Sequence, residues 1–543
     1  MVIELREILV QLVQRKTQTA KYWQQLSVTP EEIGHLMDFV RQNGQPVTIE
    51  DLALALVQQR CQAEELAVHT EFQRGSLYQP QSSYQLGEEL VFPRFNFALG
   101  KVIGQRPGHH PRYGDFTVIQ VDMGARYGVR EFAAELQHPH VLNVGDGQAL
   151  TESEGLIPPA ELYAMYRDSI DPALSEALEA SSEFVNFRGK WFLKELLAPI
   201  HTGHLNIAEA AIEEKEQPLA PEAVLKELRD LDLPTDIPPE VQAFSLNVAM
   251  QADERFSMVG PKQQVLWYLR RLEPPDLGRV PRYLVAPKFS YDLGRLDGEL
   301  IRLLGEIDDE LTDNAGLVQP VPVPDMVTLV LTYPHRRAGT LPITPKTAPF
   351  FPEAEEDYVR ITFVDRHSGQ RMPGWVVSKH KYVLGLGPWY AQRKLPTGAY
   401  ISLHRTDEPL TVGISYRPVR EKREWIRGAV VQAGRLSFQN LRQPIACEYD
   451  DLMIVGEDNP VALEGLWASP EEQKRPLLPF LRQVALDLVK INPQRTVHAK
   501  TLYSAVNIVR RCPPAPIFHE LSSHACFVPM GHGYWTYDPT KED

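Results

Sequence analysis

Cysteine is scarce in this 543-residue chain: Cys61, Cys447, Cys512 and Cys526 stand alone, with no CxxC pair and no recurring interval. That excludes a zinc ribbon and a disulfide framework, and it fits a reducing cytoplasm. Long apolar runs are also missing, since no window approaches the roughly 18 continuous apolar residues that a membrane span needs. A soluble chain with no membrane partner is expected. The opening "MVIELREILVQLVQRKTQ" has Glu4 and Arg6 inside its apolar run, unlike a signal peptide, and reads as a retained helix. Positive charge is in deficit, with 56 Lys and Arg against 71 Asp and Glu, a net −15. Spread evenly, that balance would discourage nonspecific adhesion to nucleic acid.

Catalytic signatures are absent too. There is no GxxxxGKS/T phosphate loop, no GxSxG elbow and no HExxH, and "GLGPWY" lacks the third glycine of a dinucleotide fingerprint. No catalytic residue and no cofactor are therefore assigned. His109, His110, His138 and His140 could gather near a metal, but the adjacent pair sits in the Gly- and Pro-rich loop "QRPGHHPRYG" and reads as solvated, so no metal site is assigned. Asp450 and Asp451 in "CEYDDLMIVG" would suit a metal-dependent nuclease, the enzymatic alternative. They lack an ExK partner in the sequence.

What is present is a change of period along the chain. An N-terminal helical region, 1–70, has Thr29 capping "PEEIGHLMDFV" and a stop at Asn43 and Gly44. At 84–145 the period falls to two, and short β-branched runs between Gly- and Pro-rich loops predict a small SH3-like barrel. Helices return over 158–272, a helical connector is expected at 285–316, and "LVQPVPVPDM" (Leu317 to Met326) reads as a Pro-containing linker. A β domain at 327–458 and a helical C-terminal unit at 470–543 complete an α+β multidomain chain.

Two stretches share one order. "HLNIAEAAIEEKE", "PLAPEAVLKEL" and "PPEVQAFSLNVAMQADE" lead into the hairpin "DERFSMVGPKQQVLWYL"; near the C-terminus "LLPFLRQVALDLVKI", "TVHAKTLYSAVNIVRR" and "PIFHELSS" lead into "HACFVPMGHGYWTYD". Three helices and a hairpin form the order of a winged helix. The stretch 203–270 resembles the HARE type of winged helix shared with the delta subunit of bacterial RNA polymerase, carried by "QPLAPEAVLKEL" and "DERFSMVG"; 476–538 resembles it more loosely. "QPVTIEDL" near Pro46 echoes "QPLAPEAV" without a wing of its own. The resemblance implies DNA contacts from the third helix and wing. The middle copy offers Glu240, Gln242, Ser245, Asn247, Gln251, Asp253 and Glu254 there and no cation, which suits a protein partner such as RNA polymerase. The C-terminal copy carries Lys490, Arg495, Lys500, Arg510, Arg511 and His532 against Glu520, and is the better reader of nucleic acid.

The strongest local charge lies between Arg360 and Arg427, where thirteen Lys or Arg face five acids in an otherwise acidic chain. Trp375, Tyr382, Trp389, Tyr390, Tyr400, Tyr416 and Trp425 are interleaved with them. Cations for phosphates beside rings for bases are what a nucleic-acid groove requires. Candidate contacts are Arg393, Lys394, Arg405, Arg417, Arg420, Lys422, Arg423 and Arg427. Read as a helix from Val419, "RPVREKREWIR" puts Arg420, Arg423 and Arg427 on one face, with Trp425 and Ile426 inward. The opposing reading pairs these arginines with Glu421 and Glu424. "VRITFVDRHSGQRMPGWVV", "KYVLGLGPWYAQRK" and "LPTGAYISLHR" are similar in order to the B3 family of DNA-binding pseudobarrels over 358–430. The expectation is a non-catalytic, DNA-binding or transcription-associated protein; the alternative is a protein-binding adaptor.

Overall fold

Local capping rules set the first long helix. In the computed structural model, which describes residues 15–72, 74–92, 95, 97–138, 140, 142–143, 156–228, 234, 236–312, 324–354 and 356–542, α1 (Pro30–Asn43) starts with a reciprocal capping box. Thr29 Oγ1 accepts from the Glu32 backbone N–H at 3.3 Å, and the Thr29 N–H donates to Glu32 Oε2 at 2.8 Å. Gly44, in the left-handed region at φ 68°, ends it. The helix expected from Val2 lies mostly outside the described residues.

The chain divides into two compact units, Met1–His201 with Asp230–Ala249, and Thr202–Arg229 with Met250–Asp543. In the first, α1 is followed by β1 (Val47–Thr48) and α2 (Ile49–Phe72). Five strands then run in sequence order, β2 (Ser76–Leu77), β3 (Glu89–Phe92), β4 (Ala98–His110), β5 (Gly114–Asp122) and β6 (Val129–Ala134). The sheet curls until its ends meet: Leu136 N–H donates to the Pro80 carbonyl at 3.0 Å, and Tyr78 Oη donates to the Ala133 carbonyl at 2.8 Å. Tyr78, Phe92, Val102, Ile119 and Val121 fill its interior. After it come α3 (Pro159–Ala180) and the hairpin β7 (Phe184–Phe187) and β8 (Lys190–Leu193), and β8 pairs back onto β1.

The second unit carries α4 (Thr202–Lys215), α5 (Pro221–Glu227) and, after the helix α6 (Pro239–Ala252) that the division crosses, the hairpin β9 (Phe256–Met258) and β10 (Trp267–Leu269). The division thus passes between the second and third helices of the 203–270 stretch. Further on are α7 (Gly298–Ile307), β11 (Met326–Val330), α8 (Tyr333–Ala338), β12 (Thr340–Pro342), β13 (Val359–Asp365), β14 (Arg371–Val377), β15 (Tyr382–Leu384), α9 (Gly387–Gln392), β16 (Tyr400–His404) and β17 (Thr411–Tyr416). The seven strands form one mixed sheet in the order β11-β16-β17-β13-β14-β15-β12, with β13 and β17 parallel. A long hairpin follows, β18 (Pro418–Gln432) and β19 (Arg435–Cys447), with β20 (Gly456–Glu457) docked on β18. The chain closes with α10 (Pro460–Ala468), α11 (Leu477–Ile491), β21 (Val497–His498), α12 (Ala499–Val506), α13 (Pro514–Ser523), β22 (Phe527–Gly531) and β23 (Tyr534–Tyr537). No helix among the described residues is long and apolar enough to cross a membrane.

The stretch expected to be a connector is core instead. Leu296, Leu300, Leu303 and Leu304 belong to one buried cluster with Phe480, Leu481, Val506 and Phe518. Just beyond, Asp309 and Glu310 each accept from Arg511 Nη2 at 2.7 Å. Of the Pro-containing stretch read as a linker, 317–323 lies outside the described residues.

Three small sheets repeat one register. Val47 faces Trp191, Leu219 faces Trp267, and Val497 faces Trp535. Each tryptophan in turn faces the residue two beyond a phenylalanine: Asn186 after Phe184, Met258 after Phe256, Pro529 after Phe527. Those phenylalanines face Leu193, Leu269 and Tyr537. All three tryptophans and all three phenylalanines are buried. The N-terminal echo therefore has its hairpin after all, on the far side of the five-stranded insertion.

Candidate nucleic-acid interface

"RPVREKREWIR" is a strand, so its side chains alternate with period two instead of lining up at three and four. The helical face made of Arg420, Arg423 and Arg427 does not exist. A partner strand decides this: from Lys422 to Gln432, β18 is in continuous antiparallel register with β19, and a register shift between Pro418 and Lys422 leaves Arg420 and Glu421 in a bulge. Within the register Lys422, Glu424 and Ile426 alternate with Arg423, Trp425 and Arg427. Of the first set Ile426 is buried, and it joins Ile445 and Cys447 in the core of the seven-stranded sheet, while Lys422 stays exposed.

The other face is open. Trp425, expected to point inward, is 70% exposed. Opposite it in the register stands Arg442, with Pro444 opposite Arg423 and Asn440 opposite Arg427. Arg423 and Arg442 are exposed and, among the described residues, make no ion pair. The Arg427 guanidinium is half-buried and donates to the Asp451 carbonyl, which fixes its direction. The paired part of this face carries no carboxylate.

Glu424 lies on the inward side. Lys422 beside it holds its carboxyl below the usual range, despite partial burial, and Tyr449 Oη donates to it at 3.0 Å. The proposed bracing of the arginines by Glu421 and Glu424 is not found among the described residues. Arg442 and Asn440 lie beyond the basic stretch Arg360 to Arg427, and only the pairing of β19 with β18 brings Arg442 opposite the tryptophan.

Most of the other interleaved rings are core. Trp375, Tyr382, Trp389 and Tyr390 are buried, and Trp389 Nε1 donates to Asp365 at 3.0 Å. Arg393 is spent on the same carboxylate, which is fully buried. Lys394 is exposed on a left-handed turn residue at φ 50°. Arg405 is exposed and lies over the Phe350 ring at 6.0 Å, and Arg417 lies over Tyr400 at 5.1 Å while pairing with Glu448 at 3.2 Å. These cations do not share the hairpin face.

In the C-terminal unit two candidates are overturned by burial. Arg510 is 2% exposed, donates to the Arg475 carbonyl and lies over Phe480 at 5.0 Å; Arg511 is 1% exposed and held by Asp309 and Glu310. Neither can reach a phosphate. Lys500 is paired with Asp450. Arg495 and His532 remain exposed, each on a positive-φ turn residue at 56° and 54°. In the middle stretch Ser245 and Asn247 are buried, and Ser245 Oγ accepts from the Ala198 N–H at 2.8 Å, so that helix does not present them to a partner.

The Lys500 contact bears on the nuclease alternative. It supplies the lysine that the local sequence lacks, but it neutralises Asp450, whose other oxygen accepts from the Leu452 N–H at 2.9 Å. Asp450 is buried and occupied as a turn and ion-pair residue. Among the described residues no three His, Cys, Asp or Glu side chains group to hold a metal. His109 is instead 2.6 Å from Asp115, and His110 stacks on Tyr113 at 4.7 Å. No protein-family model, no curated protein and no solved structure matches this chain.

Proposed function

We propose that this protein binds nucleic acid without catalysing a reaction on it, as a DNA-binding or transcription-associated factor, with the outward face of β18 and β19 as its docking surface. One observation carries the reading: Trp425 stands exposed between Arg423 and Arg427 and opposite Arg442, on a face whose paired residues include no acid. Arginines neutralise phosphates, and an exposed indole offers a plane to a base. In a chain of net −15, such a face concentrates binding where the rest of the surface repels it.

The three sheets of common register are read as the β parts of winged-helix modules, of the HARE type at 203–270 and more loosely at 476–538. Arg495 and His532 then serve as secondary contacts at the last wing. The test is the double variant Arg423→Gln with Arg442→Gln. Each lost phosphate contact should reduce the magnitude of the log K against log salt slope by about 0.9 on duplex, or about 0.7 on a single strand. An unchanged slope with native folding overturns the assignment.

A further inference from the structure

Resting on that reading, we propose that the ligand of this face is single-stranded nucleic acid, held by a base stacked on Trp425. The indole is 70% exposed, and among the described residues no aromatic ring and no guanidinium lies against it, although Arg442 faces it across the ladder. Most of the indole is therefore open to a ligand. An exposed ring of this size, set among cations, is a plane on which a base can stack.

The strand spaces the contacts for an extended chain. Alternate residues on a strand are about 6.7 Å apart, so Arg423 and Arg427 stand roughly 13 Å apart with the indole midway, and Arg442 sits about 5 Å to its side. Cations before, beside and after one stacking plane match a phosphodiester backbone that turns a base toward the sheet between its phosphates. Duplex does not fit this arrangement. Its bases are covered on both planes by their neighbours, so an exposed indole meets only groove edges and sugar, and Trp425 gains nothing from phosphate contacts alone.

The inward face adds a second reason for a surface-lying ligand. Ile426 and Ile445 anchor this half of the hairpin on the core of the seven-stranded sheet, so it is a supported platform and not a free ribbon able to enter a groove.

The experiment uses the full chain with a deoxythymidine oligomer and a blunt duplex of equal length, each titrated at two salt concentrations, against Trp425→Ala, Trp425→Phe and the Arg423→Gln, Arg442→Gln double variant. The expected result is preference for the oligomer, a roughly ten- to hundred-fold loss in Trp425→Ala with an unchanged salt slope, and recovery of most of that loss in Trp425→Phe. The double variant should lose slope on both ligands. Equal affinity of the parent for both ligands, or an equal loss by Trp425→Ala on both, overturns the single-strand inference and leaves the docking surface standing. If the parent binds neither ligand in a salt-dependent way, the docking surface itself falls. Because Trp425 is exposed, its replacement should leave the melting temperature unchanged, and a fall would mark it as structural.

Discussion

Replacing Arg511 with Met removes the only guanidinium within reach of two buried carboxylates among the described residues. Asp309, Glu310 and Arg511 are 4%, 5% and 1% exposed, with both N···O distances at 2.7 Å; Tyr503 Oη donates to Asp309 at 2.7 Å, and His335 Nε2 lies 3.2 Å from Glu310. Methionine keeps the length and apolar stem but leaves the two carboxylates side by side without their guanidinium. Breaking one partner out of a buried pair costs about 3–5 kcal/mol, and that is the expected loss at pH 8.

The pH dependence follows from Glu310. Burial works to raise its pKa, but Arg511 and His335 prevail and hold it well below the usual carboxylate range. A depressed folded value contributes stability above the unfolded pKa of about 4.3, which is lost as pH falls through the folded value. Without Arg511, burial regains the upper hand, Glu310 takes up a proton in the folded state, and the variant gains relative stability as pH falls. Urea denaturation followed by near-ultraviolet circular dichroism at pH 8 and pH 5 should show a smaller gap between parent and variant at the lower pH. In a double-mutant cycle with Asp309→Asn the coupling should be about 0.5–3 kcal/mol. A cost under about 1 kcal/mol at pH 8, or the same cost at both pH values, refutes this account.

A fragment beginning at residue 327 should fail to give a cooperative melt, because it lacks Leu300, Leu303 and Leu304 from its core and the acids that face Arg511; native-like melting would show that the segment is dispensable. Asp365 is fully buried, and donors from Trp389, the His367 backbone, Arg393 and Ser368 outweigh burial and hold its carboxyl at about 2. It should contribute about 2.6 kcal/mol above its ordinary pKa near 3.9, lost as pH falls through 2 and absent from the stability profile of Asp365→Asn. Trp191→Ala should cost about 3–5 kcal/mol in thermal or urea unfolding, as befits a buried tryptophan with a fixed cross-strand partner, and a loss under about 1 kcal/mol would deny the shared register its structural weight.

Much of the fold was legible locally. The Thr29 cap, the stop at Gly44, the period-two stretch after Tyr84 and the two hairpins at 256–269 and 527–537 all rest on signals a few residues long. What was not legible depends on distant partners. "EKREWIR" carries good helix formers with charges at helical spacing, and only pairing with Arg435–Cys447 makes it a strand. That pairing turns Trp425 outward and selects Arg423, Arg427 and Arg442 as the site, one of them unforeseen. Arg510 and Arg511 look like surface cations until acids from a stretch read as a connector close over Arg511. The N-terminal hairpin was not legible for a similar reason, since a whole inserted five-stranded sheet separates it from the strand it completes.

That insertion also has a consequence for synthesis on the ribosome. Val47 emerges early, yet the strand that must cover it, with Trp191, is made only after the inserted five-stranded sheet and α3. At about 5–20 residues per second the wait is on the order of ten seconds, long compared with the microseconds a hairpin needs to form. During that interval Val47, Leu52 and Leu56 have no finished partner, while the inserted sheet, whose pairings are all internal to it, is free to fold on its own. The expected order of folding in the first unit therefore follows the order of translation, with the insert complete before its host.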